Sequence, residues 1–202
     1  MTHFLDIHTT PTADLHDIIR KLPDGATITL EEDANEGRLT VSAGRARFTL
    51  PTLPREDFPV MASAEYDVDS QIGATILRRL FEKASFAIST EETRYYLNGI
   101  YMHAHDGALR AVATDGHRLA LSEMALPAGA EGLPGIIIPR KTIGELRKLI
   151  DEAADVIQIT LSENKIRFAF DHVVLTSKLI DGTFPDYQRV IPEGNDKIVE
   201  VD

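Results

Sequence analysis

The sequence contains no cysteine. Disulfides, thiol nucleophiles and zinc–cysteine sites are excluded together, and the absence suits a reducing cytoplasm. No run approaches the roughly 18 to 20 apolar residues that a membrane helix needs. The opening stretch Thr2-His3-Phe4-Leu5-Asp6 lacks the basic start and the long apolar segment of a secretory signal. Positive charge is also scarce: 21 Lys and Arg stand against 32 Asp and Glu, a formal charge of −11. That balance argues against a chain gripping nucleic acid with its whole surface. What is present is ordinary: 202 residues, 43% hydrophobic and 26% charged, enough for one or two cores.

Strand-like alternation dominates. Ala26 to Leu30, Arg38 to Val41 and Arg45 to Leu50 each alternate apolar and polar residues, which gives one buried and one wet face. The pattern returns in Tyr95 to Met102, Leu109 to Ala113, His117 to Leu121, Val156 to Leu161, Lys165 to Phe170 and Val173 to Lys178. Short turn signals separate the segments: Asp24-Gly25, Asp106-Gly107, Asp115-Gly116, Glu163-Asn164 and Asp171-His172. Three segments have a helical period instead. Leu15, Ile18, Ile19 and Leu22 follow Pro11-Thr12 and stop at Pro23; Leu77, Leu80, Phe81 and Ala84 follow Ser70; Ile143, Leu146, Leu149 and Ile150 follow Pro139. A helix, a run of strands and another helix make an α+β fold with antiparallel sheet.

The segments repeat. Arg20-Lys21-Leu22 returns as Arg147-Lys148-Leu149 at a spacing of 127, and Phe58-Pro59 as Phe184-Pro185 at 126. A shorter echo at 69 links Leu77-Arg78-Arg79-Leu80 with Leu146-Arg147-Lys148-Leu149. Nested spacings imply a unit of roughly 60 to 70 residues, paired into domains of roughly 125. On that ruler residues 1–64 are the second half of one domain, 65–192 a whole domain, and 193–202 the start of another. The chain reads as a piece of a longer protein.

Charge follows the helices. Windows 12–22, 72–86 and 140–150 hold nine basic residues, Arg20, Lys21, Arg78, Arg79, Lys83, Arg140, Lys141, Arg147 and Lys148. They hold four acidic ones, so the helices carry +5 and everything else −16. Solvated helix faces account for such a pattern, and so does a basic surface turned toward a polyanion on an otherwise acidic body.

Several motifs then stand in one register: Thr93-Arg94-Tyr95-Tyr96-Leu97-Asn98-Gly99, Ala113-Thr114-Asp115-Gly116-His117-Arg118-Leu119-Ala120, Thr176-Ser177-Lys178-Leu179-Ile180-Asp181-Gly182 and Phe184-Pro185-Asp186-Tyr187. From about Pro11 onward the chain closely resembles the bacterial DNA polymerase III beta subunit family, the replicative sliding clamps. The resemblance implies a clamp fold of helix-plus-sheet half-units paired into domains. It also implies a head-to-tail homodimeric ring around duplex DNA, a non-catalytic processivity subunit of a nucleotidyltransferase holoenzyme, with no cofactor. By this resemblance residues 1–64 belong to the N-terminal domain, 65–192 to the middle domain and 193–202 to the third; a ring would not close from this chain alone. Arg20, Lys21, Arg78, Arg79, Lys83, Tyr95, Tyr96, Lys141, Arg147 and Lys148 would face DNA.

The resemblance further implies a groove for short peptides of the polymerase III catalytic subunit, the clamp loader and other clamp-binding proteins. Its residues here would be Arg94, Leu97, Thr114, Gly116, His117, Arg118, Leu119, Pro185, Arg189 and Val190. Leu97, Leu119, Pro185 and Val190 would supply an apolar pocket for a client Leu or Phe, with polar orientation from Thr114 to Arg118. Taken alone, Asp115-Gly116 reads as a type I′ turn. Two other readings compete with a clamp. One is catalysis at Asp115 and His117 or metal binding at His103 and His105, with no accompanying nucleophile elbow, phosphate loop or Cys. The other is a protein-interaction module with no DNA role.

Overall fold

The computed structural model describes residues 12–33, 37–54, 57, 68–150, 155–194 and 196; the Phe58-Pro59 half of the longer echo lies outside them. The chain forms two compact units, Met1–Ser63 and Ala64–Asp202. In the first, helix α1 (Thr12–Arg20) precedes an antiparallel sheet of β1 (Thr29–Asp33), β2 (Arg38–Ala43) and β3 (Ala46–Pro51) in the order β1-β2-β3. Leu15 and Ile18 of α1 pack on Leu39, Val41 and Leu50, while Ile19 faces outward. The first strand lies three residues later than the Ala26 to Leu30 alternation predicts.

The second unit is two copies of one motif. The first copy is β4 (Val68–Gly73), α2 (Ala74–Ser85), a 3-10 turn at Tyr95–Leu97, β5 (Gly99–His105), β6 (Ala108–Thr114) and β7 (Leu119–Ala125). The second is β8 (Ile136–Pro139), α3 (Arg140–Ile150), β9 (Val156–Ser162), β10 (Lys165–Phe170) and β11 (Val173–Lys178). Each copy lends its leading strand to the other's sheet, giving orders β11-β10-β9-β4 and β7-β6-β5-β8, antiparallel throughout.

The exchange also caps the helices. The first N–H of α2, on Ala74, donates to the carbonyl of Asp155 just before β9; that of α3, on Arg140, donates to Asn98 just before β5. Ser70 does not start a helix as the sequence suggests. It sits inside β4, and its hydroxyl donates to the Ala128 carbonyl at 3.0 Å. Gly99 marks the tightest point of the exchange, because a Cβ there would lie 2.3 Å from the Ile138 carbonyl oxygen.

Alternation decides what each face of β7-β6-β5-β8 buries. Ile100, Met102, Leu109, Ala111, Ile136 and Ile138 point into the main core, against Leu77, Phe81, Ile143 and Leu146 of the two helices and Ile157 and Phe168 of the other sheet. Tyr101, Val112, Leu119, Leu121 and Ile137 point the other way, where the segment after β11 covers them with Ile180, Phe184 and Tyr187. Among the described residues no helix is long and apolar enough to cross a membrane.

Candidate functional site

The open end of that second face holds a cavity of about 760 Å³. One wall is the 3-10 turn, whose Leu97 is buried while Arg94 and Tyr96 reach the opening. The β6–β7 loop and Leu119 form the floor. The opposite wall is Pro185 to Pro192, built on a second 3-10 turn at Tyr187–Val190.

Asp115-Gly116 is not a two-residue type I′ turn. Only Gly116 has a positive φ, 88°, and four residues separate β6 from β7. The Asp115 carboxylate organises the loop. Its Oδ1 accepts the backbone N–H groups of His117 and Arg118 at 3.0 and 3.1 Å, and its Oδ2 accepts the Arg118 guanidinium at 2.9 Å. These donors favour the ionised form, the backbone pair most, and hold the carboxyl at about 2. Thr114 ties the base of the loop, donating to the Arg118 carbonyl at 2.7 Å and accepting the Gly116 N–H at 3.1 Å.

Arg94 joins this loop to the first wall. Its guanidinium bonds both oxygens of Glu91 and donates to the Asp115 carbonyl at 3.1 Å. Gly116 is a glycine for two reasons: the positive φ, and the 2.6 Å that would separate a Cβ from Arg94 Nη1.

Nine of the ten residues expected at a peptide groove line this cavity: Arg94, Leu97, Thr114, Gly116, His117, Arg118, Leu119, Pro185 and Val190. Arg189 is not in the lining; its side chain is 84% exposed and pairs with Asp186 at 2.7 Å. Tyr96, expected on the DNA side, stands in the cavity wall. Tyr95 is half exposed beside it, the rings meeting edge to face at 5.8 Å. Leu121, Asp186, Tyr187, Ile191 and Pro192 complete the lining and were not anticipated. Leu121 was within reach of the period-two rule, since it shares a strand face with Leu119.

The arrangement suits binding of an apolar segment. An apolar slot is rimmed by arginines and fixed backbone groups, and Asp115 is engaged by backbone N–H groups where a base would need to meet the His117 ring. His103 bonds Tyr187 and the Ala104 carbonyl, while His105 contacts Asp106 and Gln188. Among the described residues no three His, Cys, Asp or Glu side chains converge as a metal site.

The basic residues occupy helix surfaces in both units. In the first, Arg20 ends α1 and Lys21 follows it, both exposed. In the second, α2 carries Arg78, Arg79 and Lys83, and α3 carries Arg140, Lys141, Arg147 and Lys148. Glu82 lies between the helices. One oxygen of its carboxylate accepts Arg78 Nε at 3.0 Å and Arg147 Nη2 at 3.3 Å, which lowers its pKa. Lys148 pairs with Glu145, whereas Arg79, Lys83 and Lys141 have no acidic partner among the described residues.

Comparison with known proteins adds an independent line. Residues 8–62 match the DNA polymerase III beta subunit, N-terminal domain, and residues 71–186 match the DNA polymerase III beta subunit, central domain. The beta sliding clamp of Caulobacter vibrioides (strain NA1000 / CB15N) is 53% identical over 198 residues, covering 96% of this chain and 53% of that protein. That of Escherichia coli (strain K12) is 39% identical over 194 residues, 95% of this chain and 52% of that protein. A crystal structure of the Bartonella birtlesii sliding clamp bound to griselimycin superposes with a TM-score of 0.82 at 52% identity, over 94% of this chain and 51% of that one. Caulobacter crescentus pol III beta gives 0.81 at 52% identity, over 96% and 54%. The chain thus spans about half the length of the relatives it matches. By sequence and by fold, it belongs to the DNA polymerase III beta subunit family, the sliding clamps.

Proposed function

We propose that the chain is the groove-bearing part of a replicative sliding clamp. It would act in the cytoplasm as a non-catalytic processivity subunit of a DNA-directed DNA polymerase. Residues 1–64 correspond to the second half of the N-terminal clamp domain, 65–192 to the complete middle domain, and 193–202 to the start of the third. The observation that carries the reading is the convergence of Arg94, Leu97, Gly116, Leu119, Pro185 and Val190, from three separate stretches of sequence, on one apolar cavity. A peptide of the polymerase III catalytic subunit, clamp loader or another client would seat a Leu or Phe there.

The helix-borne cations would face duplex DNA. Phosphate attraction without base readout suits sliding, and the acidic remainder keeps DNA from adhering elsewhere. In the full-length homodimeric ring, topology then converts polymerase rebinding into an intramolecular event, so the gain is effective concentration. A polypeptide of these 202 residues on its own would bind the client and leave it untethered.

Primer extension tests this with the polymerase and full-length clamp of a relative. Added alone, the chain leaves products short; added in excess to the full-length clamp, it shortens products by occupying the polymerase peptide. Long products with the chain alone, or no competition by excess chain, would refute the reading.

A further inference from the structure

The outer wall of the groove has no regular secondary structure beyond one 3-10 turn, so something else must fix it. A run of four contacting rings, three stacked and the last tilted, does so. Phe184 lies parallel to Tyr101, centroids 4.8 Å apart; Tyr101 stacks on His103 at 4.7 Å; His103 meets Tyr187 at 5.7 Å. Tyr101 and His103 are on β5, whereas Phe184 and Tyr187 flank Pro185 in the wall itself. Tyr187 is 5% exposed, and its hydroxyl lies 3.0 Å from His103 Nε2 and 3.4 Å from Arg110 Nη1.

Proton accounting assigns the bonds. Arg110 only donates, so the Tyr187 oxygen accepts from it and the Tyr187 proton must go to another acceptor. Nε2 of His103 is that acceptor, with the ring proton on Nδ1, 3.2 Å from the Ala104 carbonyl. The set closes only when His103 is neutral. A proton on Nε2 would turn the ring into a second donor to the Tyr187 oxygen and take away the acceptor of the Tyr187 proton, beside Arg110 and His105.

We propose that His103 is a positioning residue of the groove: as neutral imidazole it fixes Tyr187, and through it the Pro185–Ile191 wall. This rests on the peptide-groove reading. The charged and titratable groups around the ring are Tyr101 and His105 on β5, Arg110 on β6 with its partner Glu123 on β7, Tyr187 in the wall, and Asp106 through His105. Burial first, then the neighbouring His105 and Arg110, push the His103 pKa below its ordinary value. The folded arrangement therefore binds the proton less well than the unfolded chain. Its contribution is complete above the ordinary histidine pKa and is lost as pH falls through the lowered one.

The test uses a fluorescein-labelled Ser-Leu-Ser-Leu-Phe peptide and fluorescence anisotropy at pH 7.5 and 5.5, together with amide NMR spectra of the free chain. Wild type loses affinity about five-fold at the lower pH, and the Gln188–Val190 amides shift in step with the His103 ring. His103→Gln keeps a neutral acceptor, retains binding at pH 7.5, and abolishes both the loss and the amide shifts. Tyr187→Phe weakens binding at both pH values. His117→Gln, at the cavity mouth, leaves the amide shifts in place. Equal pH dependence in wild type and His103→Gln, or wall amides that ignore His103, would overturn the inference. Absent peptide binding at both pH values, with the amides still following His103, would instead refute the groove reading and the role drawn from it.

Discussion

Arg94 Nη2 donates to the carbonyl of Asp115 at 3.1 Å, joining two residues 21 apart in sequence across the mouth of the cavity. The same guanidinium is held from behind by Glu91, at 2.9 and 2.7 Å. The first wall and the loop are therefore one rigid piece. Arg94→Lys keeps the charge and loses the planar fork, so it should weaken binding of the labelled peptide about ten-fold without changing the circular dichroism spectrum.

Gly116 tests the same piece from the loop side. Gly116→Ala should cost about 1–3 kcal/mol in urea unfolding, because a non-glycine residue is strained at that φ, and should displace Arg94 as well. Peptide affinity should fall with it, measured in the same anisotropy assay. Unchanged stability and unchanged affinity would mean the close approach is unimportant.

Asp115 should titrate near 2, seen by the carboxyl carbon shift in NMR. A depressed carboxyl stabilises the loop above its ordinary pKa of 3.8 and loses that contribution only as pH falls toward 2. The loop should thus stay ordered at pH 4. Because the backbone N–H groups of His117 and Arg118 are the largest cause, Arg118→Ala should move the titration only part of the way upward.

Glu82→Gln should strengthen binding to a labelled blunt DNA duplex. The change removes the carboxylate shared by Arg78 and Arg147 and leaves both helices' cores untouched. The plot of log affinity against log salt should steepen by about one to two units. An unaltered slope would mean these arginines do not meet phosphate.

The strand exchange makes its own prediction. Ile138 is fully buried on β8, a strand of four residues, so Ile138→Ala should destabilise the second unit by about 2–5 kcal/mol. Gly99→Ala should be comparably severe, since the obstacle there is a backbone oxygen that cannot rotate away.

Much of this architecture is legible in the amino-acid sequence. The buried face of α2 is the one marked by Leu77, Leu80, Phe81 and Ala84, and β9, β10 and β11 begin where alternation begins. The two exchanged strands were not legible, for opposite reasons. Ile136-Ile137-Ile138 is buried on both faces and so does not alternate. Val68 to Gly73 does alternate, but one of its inward positions is Ser70, a polar residue satisfied by a carbonyl 58 residues away. Tyr95 and Tyr96 read as strand because aromatic pairs favour sheets, yet Leu97 and Asn98 N–H groups donate back to the Arg94 and Tyr95 carbonyls in a 3-10 turn, which the Arg94 side chain ties to Asp115. At the site, Thr114 to Leu119 were expected from the family resemblance alone, since the local pattern reads Asp115-Gly116 as a simple turn. Tyr187 stayed hidden because its role depends on His103 and Arg110, which no local pattern connects to it.

The most direct measurement is titration of the labelled peptide with wild-type chain and with Leu119→Asp. Leu119 lines the cavity and is only partly buried, so a carboxylate there stays hydrated in the free chain but would have to be desolvated under a bound apolar side chain. The account predicts saturable binding by wild type, abolished in Leu119→Asp while the circular dichroism spectrum and the unfolding midpoint stay close to wild type. Equal affinity in the two proteins would contradict it.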